Sequence, residues 1–409
     1  MDSPPNRPQL VRSLSLGHSV LYGLGVTIGA GIYVLVGLAA GRSGLHAPLA
    51  FVIAAVLLLF SAASFAELGT RMPVSASEAA YVDAAFTRDW LTLTVGLLVI
   101  ITASISAATI SVGSAGYISV FVPLPLPVLI TGVVLLMGFI ACLATVQSVT
   151  FAGIMTLIEV GGLLLIIGAG VLAGPQIITR LPEAIPPFTV TAWTGVAGTA
   201  LVAVFAFIGF EHLVNVSEEM KQPRLTLPRA LFLTLGITAI LYALIIWIAV
   251  IAVPPAELSK SSAPLALVFE RLTGMPLVTM GGIAVVATLN GVIVHMIMIA
   301  RVMYGLANDG RLPKALAAVN ARTRTPVLAT VIGIIAILVL ALAVPLSGLA
   351  DLTARATLAI FSMVNLALIR IRLREIKPPD DIFLCPLWMP YVGLTSSVLL
   401  FVASFVPHG

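Results

Sequence analysis

The sequence predicts an all-α integral membrane fold of about eleven transmembrane helices, and three observations predict it. The 409 residues are 60% hydrophobic and 9% charged, with a mean hydropathy of +1.14, whereas soluble domains carry about 25% charged residues. Apolar runs of about 20 residues recur along the whole chain, each long enough for a hydrocarbon core of about 30 Å. Lys and Arg are also sorted by side: threading the runs back and forth puts sixteen of the 21 on one face, with Arg42, Arg180, Lys260 and Arg271 on the other and Arg355 near the start of the tenth run. The positive-inside rule then places the N-terminus in the cytoplasm and the C-terminus outside.

The elements follow in order. Residues 1–13 are polar, carry Arg7 and Arg12, and read as a cytoplasmic tail. The run after them is too long and too rich in glycine for a cleaved signal peptide, so it stays as the first span. The expected spans are 14–40, 47–70, 89–121, 127–147, 149–174, 193–216, 228–253, 276–307, 327–344, 346–372 and 388–406, with tight turns near Gln147 and Pro345. The longest polar connection, 377–386, is too short to fold alone. Cys142 lies in an apolar run and Cys385 in a polar loop, so no disulfide framework is indicated. A charge of +4 fits basic cytoplasmic loops, not a nucleic-acid surface. Metal clusters, nucleophile–base arrangements and phosphate loops are not recognisable in the sequence, which argues against an enzyme.

Two spans are interrupted. Gly25-Val26-Thr27-Ile28-Gly29-Ala30-Gly31 lies within the first, and Phe207-Ile208-Gly209-Phe210-Glu211-His212 within the sixth. Lipid offers no water to replace lost backbone hydrogen bonds, so a glycine-rich break is tolerated only where the freed groups face protein or a ligand. Matching breaks fit an inverted repeat: 14–174 (spans 1–5), 193–372 (spans 6–10) and an accessory eleventh span at 388–406. Breaking span 1 would free N–H groups near Gly29, Ala30 and Gly31, which suit a carboxylate at the positive end of a half-helix. Carbonyls near Val26 and Thr27 suit an ammonium. Gly209, flanked by Phe205 and Ile208, would let span 6 unwind. The competing reading is that these glycines serve close helix packing.

Ionisable residues within spans are functional candidates. Glu159 sits in span 5 with no cation nearby in sequence, and a lone buried carboxyl is a ready proton carrier; it would otherwise pair with a cation or brace span 5 against span 1 or 8. Glu211 follows the second break and either carries protons or caps the inner half-helix. His212 and His295 are proton-sensitive groups or satisfied core residues. Thr288 and Asn290 offer oxygens to an ion or hydrogen bonds between helices. Glu67, Glu218 and Glu219 lie near Arg71, Lys221 and Arg224 as inner-gate pairs or as solvated loop charge, and Asp351 and Arg355 are spaced to pair on one helix face.

The sequence resembles the amino acid–polyamine–organocation (APC) superfamily of permeases over nearly its whole length. The resemblance rests on the Gly25–Gly31 motif, on Phe65-Ala66-Glu67-Leu68 followed by Pro73 and Tyr81, and on Phe205–Glu211 leading to Ser217-Glu218-Glu219-Met220-Lys221-Gln222-Pro223 and Leu227-Pro228. It rests further on Arg301-Val302-Met303-Tyr304-Gly305-Leu306-Ala307-Asn308-Asp309-Gly310-Arg311-Leu312-Pro313. It implies a LeuT-type core with discontinuous first and sixth helices, and uptake or exchange of an amino acid or amine by alternating access across the plasma membrane. It implies a substrate site at Val26, Thr27, Gly29, Ala30, Gly31, Phe205, Ile208 and Gly209, with Phe205 as a gating aromatic and Glu159 and Glu211 as coupling groups. Many proton-coupled relatives have a lysine where this chain has Glu159, so that mechanism does not transfer unchanged. Ser77 also stands where relatives usually have a glycine, and eleven spans is one fewer than most have. Protons are the favoured coupling ion and sodium the alternative; no other cofactor is expected. The partners expected are the substrate and the bilayer, with no nucleic acid, and the oligomeric state is not legible. The alternatives are an amine or polyamine carrier, an exchanger, or a non-transporting receptor.

Overall fold

The computed structural model describes residues 12, 14–72, 77–143, 149–174, 176–323, 325–375 and 381–405. The expectations placed on Arg7, Pro73, Gln147, Arg324 and Lys377 lie outside the described residues. The apolar runs are helices: α1 (Leu16–Ala30), α2 (Ile32–Ser43), α3 (Ala47–Arg71), α4 (Ser77–Phe86), α5 (Asp89–Ile118), α6 (Leu126–Leu143), α7 (Val149–Leu172), α8 (Gln176–Thr179), α9 (Val190–Phe207), α10 (Pro223–Ala252), α11 (Pro255–Leu258), α12 (Pro264–Thr273), α13 (Val278–Asn308), α14 (Val327–Ala343), α15 (Leu346–Arg374) and α16 (Met389–Ala403). Among the described residues, eight helical stretches are long and apolar enough to cross a bilayer, and α14 and α16 are shorter apolar helices. The chain is an all-α, multi-pass membrane protein.

Several boundaries differ from expectation for local reasons. α10 begins at Pro223 rather than near 228, because proline in a first helical turn gives up an N–H that has no partner there anyway. α12 forms in the stretch left between the expected spans 228–253 and 276–307, and Gly274 ends it in the left-handed region at φ +74°. α4 folds from Ser77 onward in what read as part of the connection between spans 2 and 3. The tight turn at Pro345 is present: its extended backbone (φ −65°, ψ 153°) separates α14 from α15.

Apolar residues split into two environments. Val52 and Val56 on α3, Leu136 and Phe139 on α6, and Ile335 and Val339 on α14 point outward and are exposed, as lipid-facing positions require. Inside, α5 packs along α13 and α3 along α10. Several buried hydroxyls on α5 are satisfied by their own helix, Thr102 donating to Leu98 O (2.7 Å), Ser104 to Ile100 O (2.8 Å) and Thr109 to Ile105 O (2.8 Å), whereas Ser106 Oγ and Ser114 Oγ have no partner among the described residues. Such back-bonding lets a membrane helix bury polar side chains without orphaned groups.

Polar ties close both ends of the bundle. At one end Arg42 of α2 makes a bidentate pair with Asp351 of α15 (2.8 and 2.9 Å) and donates to Gly198 O of α9 (3.0 Å). Asp351 therefore does not pair with Arg355, which instead donates to Ser404 Oγ and O and lies over the Phe405 ring. Arg42 reaches across helices with the planar fork that suits a carboxylate. At the other end Glu67 is fully buried. It accepts from Arg71 (2.8 and 2.9 Å), from Arg372 of α15 and from Cys385 N (2.9 Å), while Arg71 also pairs with Glu375 (2.7 Å). Glu67 is thus a buried tie between α3 and α15, not solvated loop charge. Burial, with the Glu67 carboxylate beside it, pushes the Cys385 thiol up to about 12. The chain start also joins this end, Leu14 N donating to Glu219 O (2.9 Å) and Lys221 N to Leu14 O (3.0 Å).

Candidate functional site

The first interruption is narrower than its glycines suggest. α1 continues through Gly25 and Gly29 to Ala30, and only Gly31 lies between it and α2. Of the groups expected to be free, Gly29 and Ala30 belong to the last turn of α1, and the N–H donors without an intrahelical partner are those of Gly31 and of the first turn of α2. Val26 C=O lies within the helix, and the carbonyls without an intrahelical partner begin near Thr27. Nothing is described of the Ala30 side chain. Restarting a helix in the right-handed region needs only one residue, which is why a single glycine suffices. Gly31 must be that residue because a Cβ there would overlap the Ala206 backbone of α9.

The second interruption is wider. α9 stops at Phe207, Ile208 turns extended (ψ 135°), and Gly209 takes φ +127° before a 3₁₀ segment over Phe210–Glu219. A side chain at Gly209 would be strained by that φ and would meet Thr27 Cα and N at 2.8 Å and Val26 C at 2.9 Å. The two breaks therefore pack directly on each other, Gly31 on Ala206 and Gly209 on Val26–Thr27. Close packing and broken helices occur at the same residues.

One side chain holds both breaks. The Tyr242 hydroxyl of α10 lies 2.9 Å from Thr27 O and 3.1 Å from Ala206 O, and tyrosine, peptide oxygens and surroundings are fully buried. Its ring is fixed against Phe207 (centroids 5.1 Å apart) and Phe51 (6.1 Å). Sequence reasoning missed Tyr242, because its role arises only where three elements meet. Phe205, expected as a gate, is buried in the helical core and lines neither cavity described below. Ile208 lines the smaller one.

Glu159 of α7 is fully buried. Its Oε1 accepts from Asn290 Nδ2 of α13 at 2.9 Å, while Glu159 Oε2 and Asn290 Oδ1 have no partner among the described residues. A Cβ placed on Gly29 would stand 3.1 and 3.2 Å from the two carboxylate oxygens and 3.3 Å from Ala287 O. The carboxyl thus faces the last turn of α1, three helices converge on it, and Asn290 is the partner that sequence spacing did not reveal. Tyr33, just past the break, donates to Glu159 O (2.6 Å), and Tyr117 of α5 donates to Tyr33 O (2.6 Å). Thr288 bonds within its own helix, to Ala284 O at 2.8 Å.

Glu211 Oε2 accepts from Gly209 N at 2.9 Å, so the carboxylate caps the start of the 3₁₀ segment. His212 Nε2 lies 3.8 Å from Glu211 Oε1, and the His212 and His295 rings are 6.0 Å apart. The sequence-predicted Glu211, His212 and His295 are brought together, with Glu78 of α4 added, around a cavity of about 20 Å³. A larger cavity of about 420 Å³ lies between α2, α5, α6, α12 and the α14–α15 turn, and no expected site residue lines it. Among the described residues, no group of three or more His, Cys, Asp or Glu is placed to hold a metal ion.

The amino acid permease family model matches this chain from residue 14 to 409. The chain belongs to the amino acid permease family. This permease is 29% identical over 402 residues to the branched-chain amino acid permease BcaP of Bacillus subtilis, covering 92% of this chain and 84% of that one. It is 29% identical over 398 residues to the vacuolar cationic amino acid transporter 2 of Arabidopsis thaliana, covering 91% of this chain but 61% of the plant protein. An uncharacterized transporter of Mycobacterium tuberculosis is 30% identical over 407 residues, with 96% of the permease and 86% of the relative covered.

Proposed function

We propose that the permease is a secondary active transporter that moves an amino acid across the plasma membrane by alternating access, coupled to protons through Glu159. The observation that carries the coupling is the position of that carboxyl, buried against the last turn of α1 with one oxygen on Asn290 and the other without a partner. A carboxyl so placed changes its contacts whenever α1 moves against α7 and α13, which links proton occupancy to conformation. Sodium would need several more oxygens around one point, and proton carriage needs none.

Substrate binding belongs to the two breaks, at Val26, Thr27, Gly29, Ala30, Gly31, Phe205, Ile208 and Gly209. The dipole of α2 and its first N–H groups suit the carboxylate, and the carbonyls held by Tyr242 suit the ammonium. Residues 14–174 and 193–372 form the two halves of an inverted five-plus-five repeat and 388–406 an accessory eleventh crossing, with the N-terminus cytoplasmic. In that orientation Arg42–Asp351 closes the outer end, and Glu67 and the Leu14–Met220 contact brace the inner one.

A cationic amino acid or amine is the second reading. Glu78 and Glu211 both line the small cavity below the break, and among the described residues no Lys or Arg lines it. Its relatives include both a branched-chain amino acid permease and a cationic amino acid transporter. Uptake of a labelled panel of amino acids and amines into proteoliposomes, with and without an inward proton gradient, decides between these readings. Gradient-stimulated uptake of one class supports the transporter and names the substrate. Ligand binding with no flux across any bilayer supports a receptor, and flux only against a trapped counter-substrate supports an exchanger.

A further inference from the structure

The cavity of about 20 Å³ beneath the α9 break has a lining that its own side chains do not satisfy. His295, Ser106 and Thr357 all line it and are at most 2% exposed, and His295 Nε2, Ser106 Oγ and Thr357 Oγ1 have no hydrogen-bond partner among the described residues. His295 Nδ1 lies 2.8 Å from Gly291 O, which can only accept. That bond assigns the ring proton to Nδ1 and leaves Nε2 as a bare lone pair that requires a donor. Ser106 and Thr357 can donate, and all three residues line the same small space. A space of this size holds a single water, and three polar neighbours are the usual complement of a buried one.

We propose that this cavity holds one ordered water bonded to His295, Ser106 and Thr357, which with Glu211 and His212 forms a second proton-carrying centre separate from Glu159. The water donates one hydrogen to His295 Nε2 and the other to one of the two hydroxyls, and it accepts from the second hydroxyl and from the acidic side of the cavity, where Glu211 stands 3.8 Å from His212. A proton moves from the Glu211 carboxyl through the water to His295 Nε2; Glu211 becomes carboxylate, His295 becomes imidazolium, and the water is regenerated. The titratable groups facing this point are Glu78 from α4, Glu211 and His212 from the 3₁₀ segment, and His295 from α13. α5 and α15 add only the hydroxyls of Thr102, Ser106 and Thr357.

The two centres share α13. Asn290 serves Glu159 and His295 serves the cavity, five residues apart, or about 7.5 Å of helix rise and on different faces. One centre flanks the α1–α2 break and the other the α9 break, so a proton has a station on each side of the crossing point. The site itself is independent of the transport reading; only its consequence for coupling rests on that reading.

The test uses the full-length protein with ¹⁵N-labelled histidine and substrate absent. His295 should report a neutral Nδ1–H ring whose Nε2 accepts a hydrogen bond, and Thr357→Val or Ser106→Ala should remove that bond without changing the ring tautomer. An Nε2 signal identical in wild type and both variants would overturn the water site, whether or not the protein transports. In proteoliposomes at fixed external pH, wild-type uptake should change about tenfold per unit of internal pH on one side of its inflection. His295→Gln should flatten that internal profile and keep the external one. A His295→Gln profile matching wild type on both sides would overturn the second centre while leaving Glu159 coupling intact. Absence of uptake in wild type would overturn the transport reading and leave the water site to the NMR result.

Discussion

Removing the Tyr242 hydroxyl tests whether the two breaks are held as a unit. Tyr242→Phe keeps the ring contacts with Phe207 and Phe51 and deletes only the group between Thr27 O and Ala206 O. The hydroxyl has a single hydrogen, so the variant loses one shared hydrogen bond rather than two. A buried acceptor left without a donor costs about 1–3 kcal/mol, and hydrogen bonds between helices in membranes average about 0.6 kcal/mol. A loss of about 1 kcal/mol in holding the breaks corresponds to about fivefold in substrate affinity. Equilibrium binding of labelled substrate to purified protein, with thermal stability measured in parallel, reads both quantities. Weaker binding with a modest drop in stability is expected. Unchanged affinity and unchanged stability would refute the idea that these carbonyls are organised by α10.

Other perturbations read separate parts of the molecule. Gly29→Leu should eliminate substrate binding, because even its Cβ would stand 3.1 Å from Glu159 Oε1; tight binding by a folded variant would place the pocket elsewhere. Asp351→Asn should loosen the Arg42 end, costing about 1 kcal/mol for a half-buried bidentate pair, and should raise labelling of a cysteine introduced near Gly198; unchanged labelling would remove the pair from any gating role. Because the Cys385 thiol is pushed up to about 12, its thiolate fraction at pH 8 is about one in ten thousand, so maleimide should label it far more slowly than a free thiol. The sign is set by burial: raising the pH towards 12 should accelerate labelling. Fast labelling at pH 8 would mean the Glu67 tie is open in solution.

Long-range order was legible where the signal is summed over many residues. The helices, their approximate ends and the positions of both breaks follow from apolar runs of bilayer length and from glycines within them, and these are properties of contiguous sequence. The partners of site residues were not legible. Glu159 finds Asn290 across 131 residues, Asp351 finds Arg42 rather than the nearby Arg355, and Glu67 gathers Arg372 and Cys385 from the far end of the chain. Spacing within one helix predicts i, i+4 pairs, but in a bundle a neighbouring helix can present an arginine to the same carboxylate, as Arg42 does for Asp351 while Arg355 turns to Ser404. Tyr242 and Glu78 carried no sequence signal at all, since each matters only through backbone or cavity made by other elements. The extent of the first break was not legible either: of the three glycines in the motif, Gly31 lies at the break while Gly25 and Gly29 remain helical.

Coupling through Glu159 is tested most directly by measuring proton entry driven by substrate. Proteoliposomes carrying an internal pH indicator and no imposed gradient receive substrate from outside, with wild type and Glu159→Gln compared after each has been shown to bind. Wild type should acidify the lumen as substrate enters, and Glu159→Gln, which keeps the size and the Asn290 contact but carries no proton, should admit substrate down its gradient without acidification. Equal acidification by both proteins would contradict the assignment of Glu159 as the coupling carboxyl.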